Sequence, residues 1–328
     1  MAKNIHKLLK EFFEEKKILE KEEKLIEDTE NFCERIRREI RKQKISADVF
    51  IGGSLAKKTL IKKKNYDIDV FVRFDKKYTE EKIAELFNKI CANIDFGNKE
   101  KIHGSRDYFR FLKGNFSFEI VPVLRIRNPE EARNVTDLSY FHIDYVLNAI
   151  KKNPKLSNEI VLAKNFAYSC NCYGAESYIK GFSGYALELL IIYYKTFLNF
   201  VKNLSQIKKK KVIDITNFYK STEEVLMNLN EAKLESPVVL IDPTFKERNV
   251  LAVLSSETFA RFQRACIEFL KRPSKRFFEL KEFDEKEFKK KAQRKNSFYV
   301  KVLAKTEKQA GDIAGSKLLK FFNFLVLR

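Results

Sequence analysis

Tryptophan is absent from this sequence, and histidine occurs only at His6, His103 and His142. Cys33, Cys91, Cys170, Cys172 and Cys266 are scattered, without a C-x-x-C pair. So few imidazoles and such isolated thiols give no zinc pattern. An odd, dispersed cysteine set also argues against a secreted disulfide scaffold, so inert thiols in a reducing cytoplasm are expected. No apolar run approaches the roughly 20 residues needed to span a bilayer. The start, MAKNIHKLLKEFFEEKKILEKEE, has the charged amphipathic pattern of a helix, not a signal peptide, and no membrane partner is expected. Acidic residues are in deficit: 45 Asp and Glu face 65 Lys and Arg, a formal charge of +20. A lysine-biased composition would give the same total. Clustered cations, however, gain affinity for a polyanion by releasing condensed counterions, which favours a nucleic-acid partner.

What is present is enough to fold. The 328 residues are 44% apolar, long enough for two or three domains with real cores. Thirty phenylalanines fill those cores, with some free to stack on bases.

The organising stretch is VFIGGSLAKKTLIKKKNYDIDVFVRF, residues 49–74. Val49, Phe50 and Ile51 read as a short buried strand, followed by Gly52-Gly53-Ser54, a polar Lys-rich helical segment, and a second strand from Asp67 to Phe74. Alternate residues of a strand share a face, so Asp67 and Asp69 project together. Carboxylates this close repel unless one is protonated or a hard cation lies between them. Mg²⁺ is the ordinary cation for oxygen ligands and completes its shell with water and phosphates. A glycine turn opening a helix offers N–H groups to phosphate. Alone, Asp-x-Asp would be a solvated face and Gly-Gly a turn. Together they describe nucleotidyl or phosphoryl transfer. Glu119, in Phe116 to Pro122, is the candidate third carboxylate; its bland reading is an outward residue of an edge strand.

Around this stretch the chain alternates helices and strands. One or two charged helices cover residues 4–44, with apolar positions at Leu8, Leu9, Phe12, Phe13 and Ile18. Thr79 caps a helix, and Tyr108 to Leu112, a Lys113-Gly114-Asn115 turn and the Glu119 strand form a hairpin. From Thr136 the pattern is helical: Phe141 to Lys151, Asn158 to Ser169, and a long helix after Gly184 running through Leu198. Lys208 to Lys211 reads as a basic loop, Val238 to Asp242 as a strand stopped by Pro243, and Thr258 to Leu270 as a helix. A β segment, Phe298 to Leu303, and a helix, Gly315 to Phe324, close the sequence. No internal repeat is visible.

Gly-Gly-Ser, twelve residues, then Asp-apolar-Asp-apolar resembles the signature of nucleotidyltransferases related to DNA polymerase β. The later motifs Tyr173-Gly174-Ala175-Glu176, Lys180 to Tyr185, Ile241-Asp242-Pro243 and Glu247-Arg248-Asn249-Val250 narrow the match. In order and approximate spacing, from about Ile45 to Phe278, the chain resembles the archaeal-type (class I) CCA-adding tRNA nucleotidyltransferases. That resemblance implies an α+β architecture. A polymerase-β-like head (1–135) would be followed by a helical nucleotide-selecting neck (136–270) and a small, basic α/β body contacting tRNA (271–328). It implies Asp67, Asp69 and Glu119 as catalytic Mg²⁺ ligands and Gly53 and Ser54 as the triphosphate turn, with Lys57 beside them. His142, Lys164 and Tyr173 would touch triphosphate and ribose, and Arg248 would present hydrogen bonds to the base. The substrates would be CTP, ATP and the acceptor end of tRNA. A poly(A)-polymerase-like or oligoadenylate-type transferase, or a noncatalytic RNA-binding relative, would share much of this. The sequence departs from the family at Glu119, where aspartate is expected, and at Lys57 and Lys180, where arginine is common; lysine keeps the charge but not the bidentate fork. The family's large C-terminal tail has no counterpart after Arg328, so a compact enzyme, a fragment, one subunit of a split pair, or a homodimer supplying the missing grip is expected.

Overall fold

The computed structural model describes residues 5, 8–9, 11–12, 19–61, 66–279, 285–304 and 311–326. The expected helix over residues 4–44 is therefore seen mainly as α1, Leu19–Lys42. Phe13 and Ile18 lie outside the described residues. Along α1 the buried positions Leu25, Phe32, Cys33, Ile36 and Ile40 recur at helical spacing, so one stripe faces the core.

That stripe packs on a five-stranded sheet ordered β1-β2-β5-β4-β3. Its strands are β1 (Ala47–Ile51), β2 (Tyr66–Asp75), β3 (Asn98–Ile102), β4 (Tyr108–Lys113) and β5 (Phe116–Arg125). The central pair β2 and β5 is parallel, and the other neighbours are antiparallel. Alternation along β2 decides what the sheet exposes. Ile68, Val70, Val72 and Phe74 are fully buried on the helix-covered face, together with Phe118 and Ile120 of β5. Asp67, Asp69 and Phe71 therefore point to the opposite face. Among the described residues of the Lys-rich segment between β1 and β2 there is one short turn, α2 (Gly53–Ala56); residues 62–65 lie outside the described set. Thr79 caps α3 (Glu80–Ala92) by accepting from Lys82 N, as its sequence suggested.

Two 3₁₀ turns lead into the second module. The buried Asp137 carboxylate accepts from Arg106 and from the Leu124 amide, fastening this connection to β5. The helices are α4 (Ser139–Lys152), α5 (Lys155–Ser169), α6 (Gly184–Tyr194) and α7 (Phe197–Ser205). The long helix expected through Leu198 breaks: Lys195 takes φ 68°, and Thr196 starts α7 by accepting from Asn199 N. An N-capping threonine competes with helix continuation because its hydroxyl satisfies the new helix's first amides. A small sheet β6-β7-β8 follows, from β6 (Lys211–Asp214), β7 (Val238–Asp242) and β8 (Phe245–Asn249), with the short helices α8 (Thr222–Asn228) and α9 (Glu231–Leu234) between β6 and β7. Lys211 thus belongs to a strand, correcting the four-lysine loop. Helix α10 (Ser256–Lys271) closes this core around Phe166, Phe262 and Phe269.

Beyond residue 284 the described elements are α11 (Glu285–Arg294) and α12 (Gly311–Val326). The β segment expected at Phe298 to Leu303 is not a strand. Phe298 is 97% exposed and no ladder forms there, because alternation alone gives no strand without a partner edge.

Candidate active site

The sheet face that carries Asp67 and Asp69 is covered at one end by α4: Ile143 packs with Phe71 and Val123, and Phe50 and Val121 flank them. At the other end the face opens into a cleft of about 370 Å³ between the two modules. Gly53, Ser54, Lys57, Asp67, Asp69, His142, Lys164 and Tyr173 all line it, so eight residues singled out by sequence from two modules meet in one place. Glu119 and Arg248 do not line it but adjoin residues that do: Glu119 is in register with Asp69, and Arg248 contacts His142.

The carboxylates form a row across neighbouring strands. Asp69 is in register with Glu119, and Asp67 with Ser117. Glu119 Oε1 accepts from Arg110 Nε (3.1 Å) and Nη2 (2.8 Å), its register partner on β4. Ser117 Oγ, beside Asp67, is buried and has no hydrogen-bond partner among the described residues. Gly53 is required next to this row. It adopts φ +59°, and a Cβ there would overlap the Asp69 carboxylate, with Cγ only 2.8 Å away.

At the inner wall, two lysines meet one carboxylate. Lys57 Nζ donates to Glu188 Oε2 (2.6 Å), and Lys164 Nζ donates to Glu188 Oε1 and to Thr59 Oγ1 (both 2.8 Å). Glu188 is fully buried. Burial raises its pKa, but Lys164 and Lys57 outweigh that and hold the carboxyl below its usual range. The Tyr173 hydroxyl lies close to the first residue of α6, 3.0 Å from where a Gly184 Cβ would be. Burial, and then the surrounding acids led by Glu188, push its phenol up.

The third cluster centres on Asp242, also fully buried. Its Oδ1 accepts from the Tyr185 hydroxyl (3.0 Å) and from Thr244 N and Oγ1, and its Oδ2 from Arg248 Nη1 (2.8 Å). His142 Nε2 is 3.0 Å from both Asp242 Oδ2 and Arg248 Nη1, with its ring stacked on Tyr185. Burial lowers the imidazole pKa, and Arg248 and Lys57 add to this against the opposing pull of Asp242. Burial opposes ionisation of Asp242, yet His142 and Arg248 keep its carboxyl well below the ordinary range.

Residues 33–166 match the family model of the nucleotidyltransferase domain, and residues 158–279 that of the second domain of tRNA nucleotidyltransferases. The CCA-adding enzyme of Nanoarchaeum equitans is 44% identical over 216 residues, which is 65% of this chain and 53% of that protein. That of Methanosarcina acetivorans is 31% identical over 281 residues, 84% of this chain and 59% of the other. The chain carries a nucleotidyltransferase domain followed by the second domain of tRNA nucleotidyltransferases, and it is similar to archaeal CCA-adding enzymes. It spans just over half the length of these curated relatives. The fold itself is shared more widely: a structure of the Cid1 poly(U) polymerase superposes with a TM-score of 0.66 at 16% identity, covering 86% of this chain and all of that one.

The site also contains side chains to which the sequence motifs gave no role. Glu188, Thr59, Asp242, Tyr185 and Arg110 are all engaged with expected site residues. Two of them left a trace in the sequence. Glu188 is the single charge in GYALELLIIYY, a helix apolar all round, and Asp242 ends the fully buried run VVLID; a charge in such surroundings needs a partner. The donor set suits a hard divalent cation: Asp67, Asp69 and Glu119 offer only oxygens, the orphaned Ser117 hydroxyl lies beside them, and Gly53 leaves room at Asp69. Among the described residues no three such side chains are gathered tightly enough to form a ligand sphere, Glu119 being turned onto Arg110. No helix among the described residues is long and apolar enough to cross a membrane.

Proposed function

We propose that the protein adds C, C and A to the 3′ end of tRNA, using CTP and ATP without a template and releasing pyrophosphate. The observation that carries this reading is the register of the central strands, with Asp67, Asp69 and Glu119 adjacent on one sheet face at the mouth of a cleft lined by Ser54, Lys57, Lys164, His142 and Tyr173. Asp67, Asp69 and Glu119 would hold Mg²⁺, which when bound lowers the pKa of the terminal 3′-hydroxyl and neutralises charge at the α-phosphate. The protein's own groups do the rest. Ser54 and the Gly53 turn hold the β- and γ-phosphates, and Lys57 and Lys164 supply fixed positive charge at the inner wall. His142 and Tyr173 bound the ribose side, and Arg248, oriented by Asp242, faces the base. In this scheme the head, neck and body lie at 1–135, 136–270 and 271–328, the basic last part contacts the tRNA acceptor arm, and a second copy of the chain completes the grip. The reaction belongs to the cytoplasm.

Labelled CTP or ATP, Mg²⁺ and tRNA ending at the discriminator base, at C or at CC provide the test. Incorporation of C, C and then A, abolished by Asp69→Ala, is expected. Absence of incorporation would overturn the reading, and strong ATP-only extension of unstructured RNA would point to an adenylate polymerase.

A further inference from the structure

Glu188 lines the inner wall of the cleft, fully buried and with both oxygens occupied. Lys57 takes Oε2, and Lys164 and Thr59 take Oε1 at 2.8 and 3.2 Å. Lys57 and Thr59 come from the first module, Glu188 and Lys164 from the second, so four buried groups fasten the modules together at the site. Two ammonium groups meet this one carboxylate in the cleft that Asp67 and Asp69 also line. Without the carboxylate the ammonium groups would face each other in a low dielectric, and one would have to lose its proton or swing away.

We infer that Glu188 is a positioning residue for the polyphosphate tail of the incoming nucleotide: it holds Lys57 and Lys164 as one preset cationic pair across the module boundary. This rests on the nucleotidyl-transfer reading above. Glu188 itself touches no substrate. Its effect passes through the lysines, so it falls on ligands with a β,γ-phosphate tail and spares those without one.

The test is calorimetric binding of ATP and of AMP to the full chain with Mg²⁺ present. Glu188→Gln is expected to weaken ATP by about tenfold or more, the worth of a charge-assisted hydrogen bond, while AMP stays within about twofold. Glu188→Asp, which keeps the charge on a shorter stem, should fall in between. In a Lys57→Met background the like-charge conflict is gone, so adding Glu188→Gln should cost less than about threefold. If the Gln variant does not fold, the Asp variant carries the same comparison: ATP-selective loss supports the inference, and no selective loss overturns it. A folded Gln variant that binds ATP as the parent does, or loses ATP and AMP alike, overturns the inference alone. A parent protein that binds neither ATP nor CTP overturns both the inference and the nucleotidyl-transfer reading.

Discussion

Replacing Gly53 by alanine should abolish most activity while leaving the protein folded. The residue sits at φ +59°, where an L side chain costs about 1–2 kcal/mol. Against a typical domain stability of about 5–15 kcal/mol the chain still folds. The larger effect is local. The new Cβ would overlap an Asp69 carboxylate oxygen, with Cγ at 2.8 Å and the Asp69 Cβ at 3.2 Å, and real Cβ contacts do not fall below 3.0 Å. Asp69 cannot retreat through its backbone, because its carbonyl accepts from Gly52 N at 2.8 Å and its strand is paired on both sides. The carboxylate must therefore rotate away by about an ångström, a displacement that costs about 10²-fold in rate when it moves a catalytic group. The assay pairs single-nucleotide incorporation with a thermal melt. The expected result is a rate lower by about two orders of magnitude with a melting temperature lower by a few degrees. Incorporation within about threefold of the parent would refute the assignment of Asp69 to the reacting centre.

Asp242→Asn keeps the shape of the hub but removes the charge that Arg248 and His142 share; base discrimination, read as the ratio of kcat/KM for CTP and ATP, should change by about tenfold, and an unchanged ratio would separate Arg248 from base reading. The folded pKa of His142 lies below 6.5, so the unfolded chain takes up its proton first, and stability present above pH 6.5 is lost as pH falls through that value. Glu188 and Asp242 have depressed values and lose stability only in more acid solution, below about 4.5 and 3.8, so Tm measured from pH 7.5 to 5.5 should fall less steeply in His142→Gln; parallel curves would contradict this. Arg110→Gln releases Glu119, so Mn²⁺ binding followed by electron paramagnetic resonance should shift by several-fold; an unaltered affinity would show that Arg110 does not act on the metal ligand.

The head of the fold was legible because β2 declares itself. Ile68, Val70, Val72 and Phe74 alternate with Asp67, Asp69 and Arg73, Phe71 being the apolar exception packed under α4, so the two aspartates fall on one face. Strand β3, NKEKI, escaped because an edge strand needs few apolar residues and its charges guard the edge. Strand β8, FKERN, is polar for the same reason, and its Glu247-Arg248-Asn249 stood out as a motif but not as a strand. At the site, the motifs identified Lys57 and Lys164 but not the carboxylate that joins them. Glu188 meets Lys57 across 131 residues of sequence, a separation at which no local periodicity carries information. The Phe298 to Leu303 pattern misled in the opposite sense, since alternation promises a strand only where a neighbouring edge accepts it.

Helix α6 presents Tyr185 to the Asp242 hub and Glu188 to the two lysines, three residues apart on one rigid rod. At a helical rise of about 1.5 Å per residue, these anchor points are offset by only about 4.5 Å along its axis. A substitution that slides or tilts the rod, such as enlarging buried Ala186 beside them, cannot loosen one end of the nucleotide and spare the other. Base choice and tail affinity in this protein should therefore drift together, as two readings of one mechanical setting.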